Sequence, residues 1–391
     1  MAIVRLAIPV VASSLWQGGF NYLFNIARVL SIYMSKYIKI VACFGSDIPE
    51  RDKLKFQEIP NIEIIVDDAF SAKNNYLKFF FIFFFGIDKK AIKAFEANDI
   101  NAVLEPARFF GRNCSLPVLA WIPDFQHKHS PENFSLIARL KRETGFTAQM
   151  RNNRTLLLSS DTSHKDLINF YPRFKGKVLI NKFPVIFSEA ELSMNVDELR
   201  SIYKLPKNFI FLPNQFWSHK NHLVVVEALK KLQEWKTKAY VISTGSLFNP
   251  KNPKLINEIK RRIHQYQLHD QFRILGSVPS AHIVGLMRSC SFYINPSKHE
   301  GWSTSVEEAK VFSTPMILSD IPIHREQAEK GTRFFPADDA VFLADLIREK
   351  MIDTHGIELI RSPRHDFETE AKVYAEKLYL IIQEAFNGVK M

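Results

Sequence analysis

The sequence predicts an α/β protein made of two doubly wound domains, each a parallel sheet with helices on both faces. Three observations predict it. The chain has 391 residues, more than one ordinary core accommodates. Short apolar runs alternate with helical patterns throughout, as parallel strands joined by crossover helices do. The alternation comes in two sets, separated by a stretch around Pro184 and Pro206 that lacks a clean strand.

In the first set, apolar runs predict strands at 4–11, 38–44, 62–66, 102–104, 118–122, 155–159 and 178–180. Phe20, Leu23, Phe24, Ala27 and Leu30 recur at helical spacing after the first strand. A shorter helix at 163–170 stops before Pro172. In the second set, strands are expected at 209–212, 239–243, 273–275, 291–294, 316–318 and 333–335. Helices fall near 223–232, 253–266, 281–287, 306–311 and 323–330. Phe367, Ala371, Tyr374, Leu378, Ile381 and Ile382 give the tail one apolar face. The boundaries follow: a first domain over 1–185, a linker over 186–207, a second domain over 208–364 and a terminal helix over 365–391.

Hydrophobic content of 46% supplies apolar material for two cores. The net charge of +11 is spread evenly, with 26 Lys/Arg against 20 Asp/Glu in residues 1–200 and 26 against 21 beyond. A nucleic-acid-binding protein more often concentrates such charge in a tract, so the balance points to anionic substrates, anionic lipid, or both. Cys43, Cys114 and Cys290 are too scattered for a metal site or a disulfide framework, which fits a reducing cytoplasmic compartment.

Two segments resemble targeting or membrane signals. Residues 1–14 place Arg5 before a short apolar run, as a signal peptide does, but the Gly-Gly loop and amphipathic helix that follow at once favour a buried first strand. Residues 77–85 read Leu-Lys-Phe-Phe-Phe-Ile-Phe-Phe-Phe, far below the ~20 residues that span a bilayer. A buried helix is the plain reading of that run. A membrane-surface element, flanked by Lys73, Lys78, Lys89 and Lys90, is the sharper one.

The stretch from Asn295 to Asp320 carries the chemistry. It follows an expected strand and opens an expected helix, the place where open α/β sheets bind ligands. Backbone amides of Gly301, Trp302, Ser303, Thr304 and Ser305, with the helix dipole, suit a phosphate. Glu300 and Glu308 bracket the turn and suit sugar or ribose hydroxyls. Taken alone, Thr304 with Glu307, or Ser305 with Glu308, is equally well a capping box.

In full, the stretch resembles the signature of the retaining glycosyltransferases of family 4. There a Glu, a Gly and an aromatic residue precede a second Glu followed by Ala, and then Thr-Pro, a strand and Ser-Asp. Glu300, Gly301, Trp302, Glu308, Ala309, Thr314, Pro315, Ser319 and Asp320 stand in that order. The resemblance implies the GT-B architecture, two Rossmann-like domains facing a cleft, with the C-terminal helix returning to the first domain. Gly18 and Gly19 resemble the family's N-terminal glycine pair, beside the donor phosphates. Lys220 matches the family's phosphate-neutralising lysine, whereas Asn214 and Gln215 stand where the family has Gly and Arg. His219 or His222 is a candidate to replace the missing charge, and a surface position explains either equally well. Asp124 and His127, after the strand at 118–122, resemble an acceptor-side loop, with a structural role for His127 as the alternative. Ser159-Ser160 resembles a further, weakly specific family feature.

The resemblance implies a transfer that retains anomeric configuration without a metal or other cofactor. Glu300 would hold the donor sugar and Glu308 the ribose. Lys220 and the helix start would hold the diphosphate. No Asp-x-Asp occurs in the chain, which disfavours a metal–diphosphate site. The implied partners are a nucleotide-sugar donor and a glycan or lipid-linked acceptor of cell-surface polysaccharide or lipopolysaccharide synthesis, with no nucleic acid. The setting implied is cytoplasmic, peripheral on the membrane face. A nucleotide-sugar epimerase of the same architecture and a non-catalytic nucleotide-sugar-binding protein are the competing readings.

Overall fold

The structure, a computed structural model, describes residues 3–72, 75–106, 108–151, 154–247, 252–353 and 360–386. It divides into two compact units, residues 1–186 with 368–391, and residues 187–367. Each holds one all-parallel sheet.

The first sheet contains β1 (Val4–Pro9), β2 (Ile38–Phe44), β3 (Glu63–Val66), β4 (Ala102–Glu105), β5 (Val118–Ile122), β6 (Thr155–Leu158) and β7 (Val178–Ile180). Its spatial order is β3-β2-β1-β4-β5-β6-β7, so the direction of winding reverses between β1 and β4. Val4–Pro9 is therefore a central strand, almost entirely buried. The second sheet contains β8 (Ile210–Pro213), β9 (Val241–Thr244), β10 (Phe272–Gly276), β11 (Phe292–Asn295), β12 (Met316–Ser319) and β13 (Arg333–Phe335). Its order is β10-β9-β8-β11-β12-β13, reversing between β8 and β11. Strands buried on both faces read as continuous apolar runs rather than alternations. For that reason every expected strand forms, within one or two residues at its ends.

Helix Phe367–Phe386 packs within the first unit through Ala371, Tyr374, Ala375, Leu378 and Ile382. Asn181 donates to the buried Tyr374 hydroxyl at 2.9 Å, so the tail is fixed by a polar bond as well as by its apolar stripe.

Where the sequence suggests a linker, the structure has two helices, Glu189–Leu192 and Val196–Tyr203. Ser188 and Glu191 form a capping box, and Asn195 caps the second helix, so local hydrogen bonds suffice to start both. Both pack on helix Ser280–Ser289. A Cβ on Gly285 would lie 2.7 Å from the Leu199 side chain, which explains the glycine.

The Phe run forms helix Asn75–Phe85, and the buried-helix expectation holds for one of its faces only. Ile82 is buried with Phe109 and Ala148, whereas Phe81, Phe84 and Phe85 are exposed. Lys73 and the Lys78 side chain lie outside the described residues. No helix among the described residues is long and apolar enough to cross a membrane.

Candidate active site

In the second unit, the site is built at the winding reversal. The loop after β8 brings Asn214, Gln215 and Lys220, and the loop after β11 brings residues 296–303. Asn214 Nδ2 donates to Asn295 Oδ1 at 3.0 Å, tying the two loops across the reversal. Asn221 adds a second tie, donating to the Pro296 carbonyl at 3.2 Å from a left-handed backbone position. Asn295 also donates to Ser303 Oγ at 3.0 Å and accepts from Ser297 Oγ at 2.6 Å. Ser305 Oγ lies 2.7 Å from the Tyr293 hydroxyl. Asn214, Ser303 and Ser305 thus spend their side chains on a buried network that shapes the turn.

Ser303 is the N-cap of helix Thr304–Val311, but no side chain caps that helix. The capping boxes allowed by the sequence do not form. Instead Gln327, from helix Pro322–Gln327, accepts from Ser303 N at 2.9 Å and donates to Ser303 O at 3.0 Å. The Ser303 amide is therefore occupied. The amides of Thr304 and Ser305 have no acceptor among the described residues, and the first turn leaves such groups unpaired by construction. Gln327 also donates to Glu307 at 2.8 Å, and Lys310 adds a bond at 2.9 Å. Burial raises the Glu307 carboxyl, and these two partners oppose it. Glu307 belongs to the packing, leaving the half-buried Glu308, one position on, as the carboxylate of this helix toward solvent. Gly301, Trp302 and Thr304 are also half-buried along the turn.

Lys220 Nζ meets Glu300 Oε1 at 2.5 Å, with side chains only 19% and 9% exposed. Burial alone would raise the Glu300 carboxyl. The Lys220 charge, helped by His219 and His324, outweighs it and holds the group down at about 2. His324 is fully buried and its Nδ1 donates to the Ser319 carbonyl at 2.9 Å, while Nε2 has no partner among the described residues. Burial pushes its imidazole down to about 4.

His222 is not a surface residue. Its ring stacks on Phe216 at 4.1 Å, and Nε2 donates to the Asn214 carbonyl at 3.2 Å. Burial lowers it to about 3, so it is neutral near pH 7 and cannot replace the charge of the family arginine. His219 stays half-buried beside Glu300. Its carbonyl accepts from Lys298 N at 2.8 Å, a third tie between the loops.

In the first unit, Gly18 and Gly19 lie in the first turn of helix Gln17–Tyr33 and not in a loop. A Cβ on Gly19 would come within 2.3 Å of the Trp16 indole, which stacks on Trp121. Gly18 has only Trp16 Nε1 nearby, at 3.6 Å. One glycine thus makes room for an aromatic stack and the other leaves the backbone open. Trp121 Nε1 donates to Ser159 Oγ at 3.1 Å, and Ser160 caps helix Asp161–Phe170.

The acceptor-side loop is held by a helix the sequence pattern does not predict, Leu136–Met150. Arg142 donates to Asp124 Oδ1 at 2.5 Å. Glu143 accepts from Lys128 at 2.8 Å and from the Tyr171 hydroxyl at 2.9 Å, and lies 3.3 Å from His127 Nε2. His127 is buried, and its Nδ1 has no partner among the described residues. Burial lowers its pKa, with the Arg142 charge acting the same way and Glu143 opposing. With Glu143 accepting from Nε2–H, Nδ1 carries the lone pair. Arg142 and Glu143 leave only a charged helical segment as a sequence signal.

Two doubly wound parallel sheets in one chain are the architecture of the GT-B fold. Residues 196–372 match the family Glycosyl transferases group 1. A glycosyltransferase from Rickettsia africae superposes with a TM-score of 0.71 at 15% identity, over 99% of this chain and 100% of that one. Anabaena HepE, solved with UDP and glucose, gives 0.69 at 14% identity, over 98% and 100%. WaaG, a glycosyltransferase involved in lipopolysaccharide biosynthesis, gives 0.62 at 14%, over 98% and 99%. The chain thus has the fold of the GT-B glycosyltransferases, and residues 196–372, chiefly of the second unit, are similar to the group 1 family.

Proposed function

We propose that this enzyme is a retaining, metal-independent glycosyltransferase of family 4 that moves a sugar from a nucleotide donor to a lipid-linked or glycan acceptor. The reading places it in cell-surface polysaccharide or lipopolysaccharide synthesis, on the cytoplasmic face of a membrane. The observation that carries it is the Lys220–Glu300 pair beside the unpaired amides of Thr304 and Ser305. An arriving sugar diphosphate offers Lys220 a better anion than Glu300, and frees Glu300 to accept from sugar hydroxyls. The amides take phosphate oxygens, and Glu308 takes the ribose. Charge on the leaving diphosphate then falls on Lys220 and the helix start, where one well-aimed donor contributes on the order of 3 kcal/mol. In the second unit Asn214, Gln215, Gly301, Trp302 and Ser303 serve the donor; in the first, the resemblance assigns Gly18 and Gly19 to the donor and Asp124 and His127 to the acceptor. Exposed Leu136, Ile137 and Leu140, on the helix that orients His127, favour a lipid-linked acceptor over a bare glycan.

Thermal-shift screening against UDP, GDP, ADP and their sugars tests the donor site. Glu308→Ala and Lys220→Ala should each abolish the shift in a folded protein, and an unchanged shift in both removes the assignment. Turnover in excess chelator, with the product anomer read by NMR, tests metal independence and retention. Incubating donor with and without acceptor separates transfer from epimerisation.

A further inference from the structure

We propose that Phe81, Phe84 and Phe85 form a membrane-docking face that seats the first unit on an anionic phospholipid bilayer. The three side chains are 63, 69 and 69% exposed. Their spacing places them on one face of helix Asn75–Phe85, and the Phe81 and Phe85 rings stack at 5.8 Å. The opposite face is not exchangeable with them. Ile82 is buried there, and Phe79 and Phe83 pack against the same cluster with Phe109 and Ala148. The helix is thus clamped to the body of the unit by one face while the other presents three large aromatic rings to solvent.

The surroundings decide the occupant. Lys89 and Lys90 are exposed at the start of the next helix, Lys89–Glu96. Exposed Arg112 lies against Gly86, the residue after the Phe helix. The one acid between the two helices, Asp88, is buried and paired with Arg108 at 2.9 Å. Exposed aromatic rings with cations at one end of their helix match the interfacial zone of an anionic bilayer, where rings enter the headgroup boundary and cations meet lipid phosphates. Eleven residues span only about 16 Å, so the helix lies in the interface and does not cross it. A second copy of this chain is a poorer occupant, because a symmetric contact would bring the same cations face to face. The proposal deepens the lipid-linked acceptor reading, since it puts the enzyme where such an acceptor resides.

The full chain is mixed with sedimentable vesicles of phosphatidylcholine alone, or with one third phosphatidylglycerol. Wild type should pellet with the anionic vesicles and far less with the neutral ones. Phe81→Ser, Phe84→Ser and Phe85→Ser together should lower partitioning at least roughly tenfold. Lys89→Glu with Lys90→Glu should erase the preference for anionic vesicles. Both variants should keep the wild-type thermal transition and the wild-type rate of donor hydrolysis in detergent-free buffer. Wild type that ignores vesicles, or a triple variant that pellets like wild type, overturns the proposal. So does a triple variant that changes oligomeric state on gel filtration, which would assign the face to a protein contact. Vesicle binding that follows the phenylalanines while no donor is hydrolysed keeps the docking face and sinks the transferase mechanism; the converse result does the reverse.

Discussion

The Lys220–Glu300 pair can be weighed by a double-mutant cycle. The Glu300 carboxyl is held at about 2 against an ordinary 4.5, which corresponds to about 3 kcal/mol of stability near pH 7. Little solvent screens it, since Glu300 is 9% exposed, although the 19% exposure of Lys220 makes 2 kcal/mol a fair lower bound on the order of magnitude. The sign follows from the depressed folded value: the stabilisation is fully present above 4.5 and is lost as the pH falls toward 2. Lys220→Met keeps the aliphatic stem and removes the charge, leaving burial to raise Glu300. Urea titration of the full chain at pH 7 should show a loss of about 2–3 kcal/mol for Lys220→Met. Adding Glu300→Gln should recover most of it. At about pH 3 the wild-type advantage should shrink by more than half. Additivity of the two single changes to within about 0.5 kcal/mol, or a Lys220→Met loss that does not vary with pH, would refute the reasoning.

Glu143 opposes the fall in the His127 pKa, so Glu143→Gln should move the acid limb of the pH–rate profile to lower pH and reduce kcat at neutral pH about tenfold or more; a limb that stays in place denies the contact. Gly19→Ala forces the Trp16 indole off Trp121 and should cost about 1–3 kcal/mol in urea titration, with a change in tryptophan fluorescence, while Gly18→Ala costs little. Gln327→Ala removes both bonds to Ser303 and the bond to Glu307, and should weaken nucleotide binding by calorimetry at least tenfold.

How much of this was legible in the sequence depends on which force sets each feature. The sheets were legible because a parallel strand buried on both faces must be continuously apolar, and β2, β5, β7 and β13 begin and end where the apolar runs do. The amphipathic tail was legible for the same reason. Helix Leu136–Met150 was not: its N-terminal part exposes Leu136, Ile137 and Leu140, so no regular buried stripe marks it. The helices over 189–203 were hidden because caps, not hydrophobic period, define them. In the site, the turn from Asn295 and the lysine facing it were readable as residue types in order. The division of labour within the turn was not. Gln327, which clamps Ser303, lies 24 residues away in sequence, and only the short helix after β12 brings it back. His222 misleads in the same way, since the sequence shows a polar residue near a phosphate loop, whereas the fold stacks it under Phe216.

That division of labour accounts for the missing arginine. The Lys220–Glu300 pair and the two buried histidines at this end of the sheet together carry no net charge near neutral pH. Glu300 cancels Lys220, while His222 and His324 are kept neutral by burial. The buried network of Asn214, Asn295, Ser303, Ser305 and Tyr293 contributes no charge, but it fixes the direction of the backbone. A site with a second permanent cation could attract a diphosphate at long range and would hold it after transfer. Here Lys220 is already engaged, so in the proposed mechanism the anion displaces a carboxylate to obtain it. Displacement ties the capture of the phosphate to the release of Glu300. In the proposed mechanism, that release prepares Glu300 for the sugar. A neutral residue at Gln215 is thus consistent with a site whose charge becomes available only when the correct ligand exchanges partners with the pair.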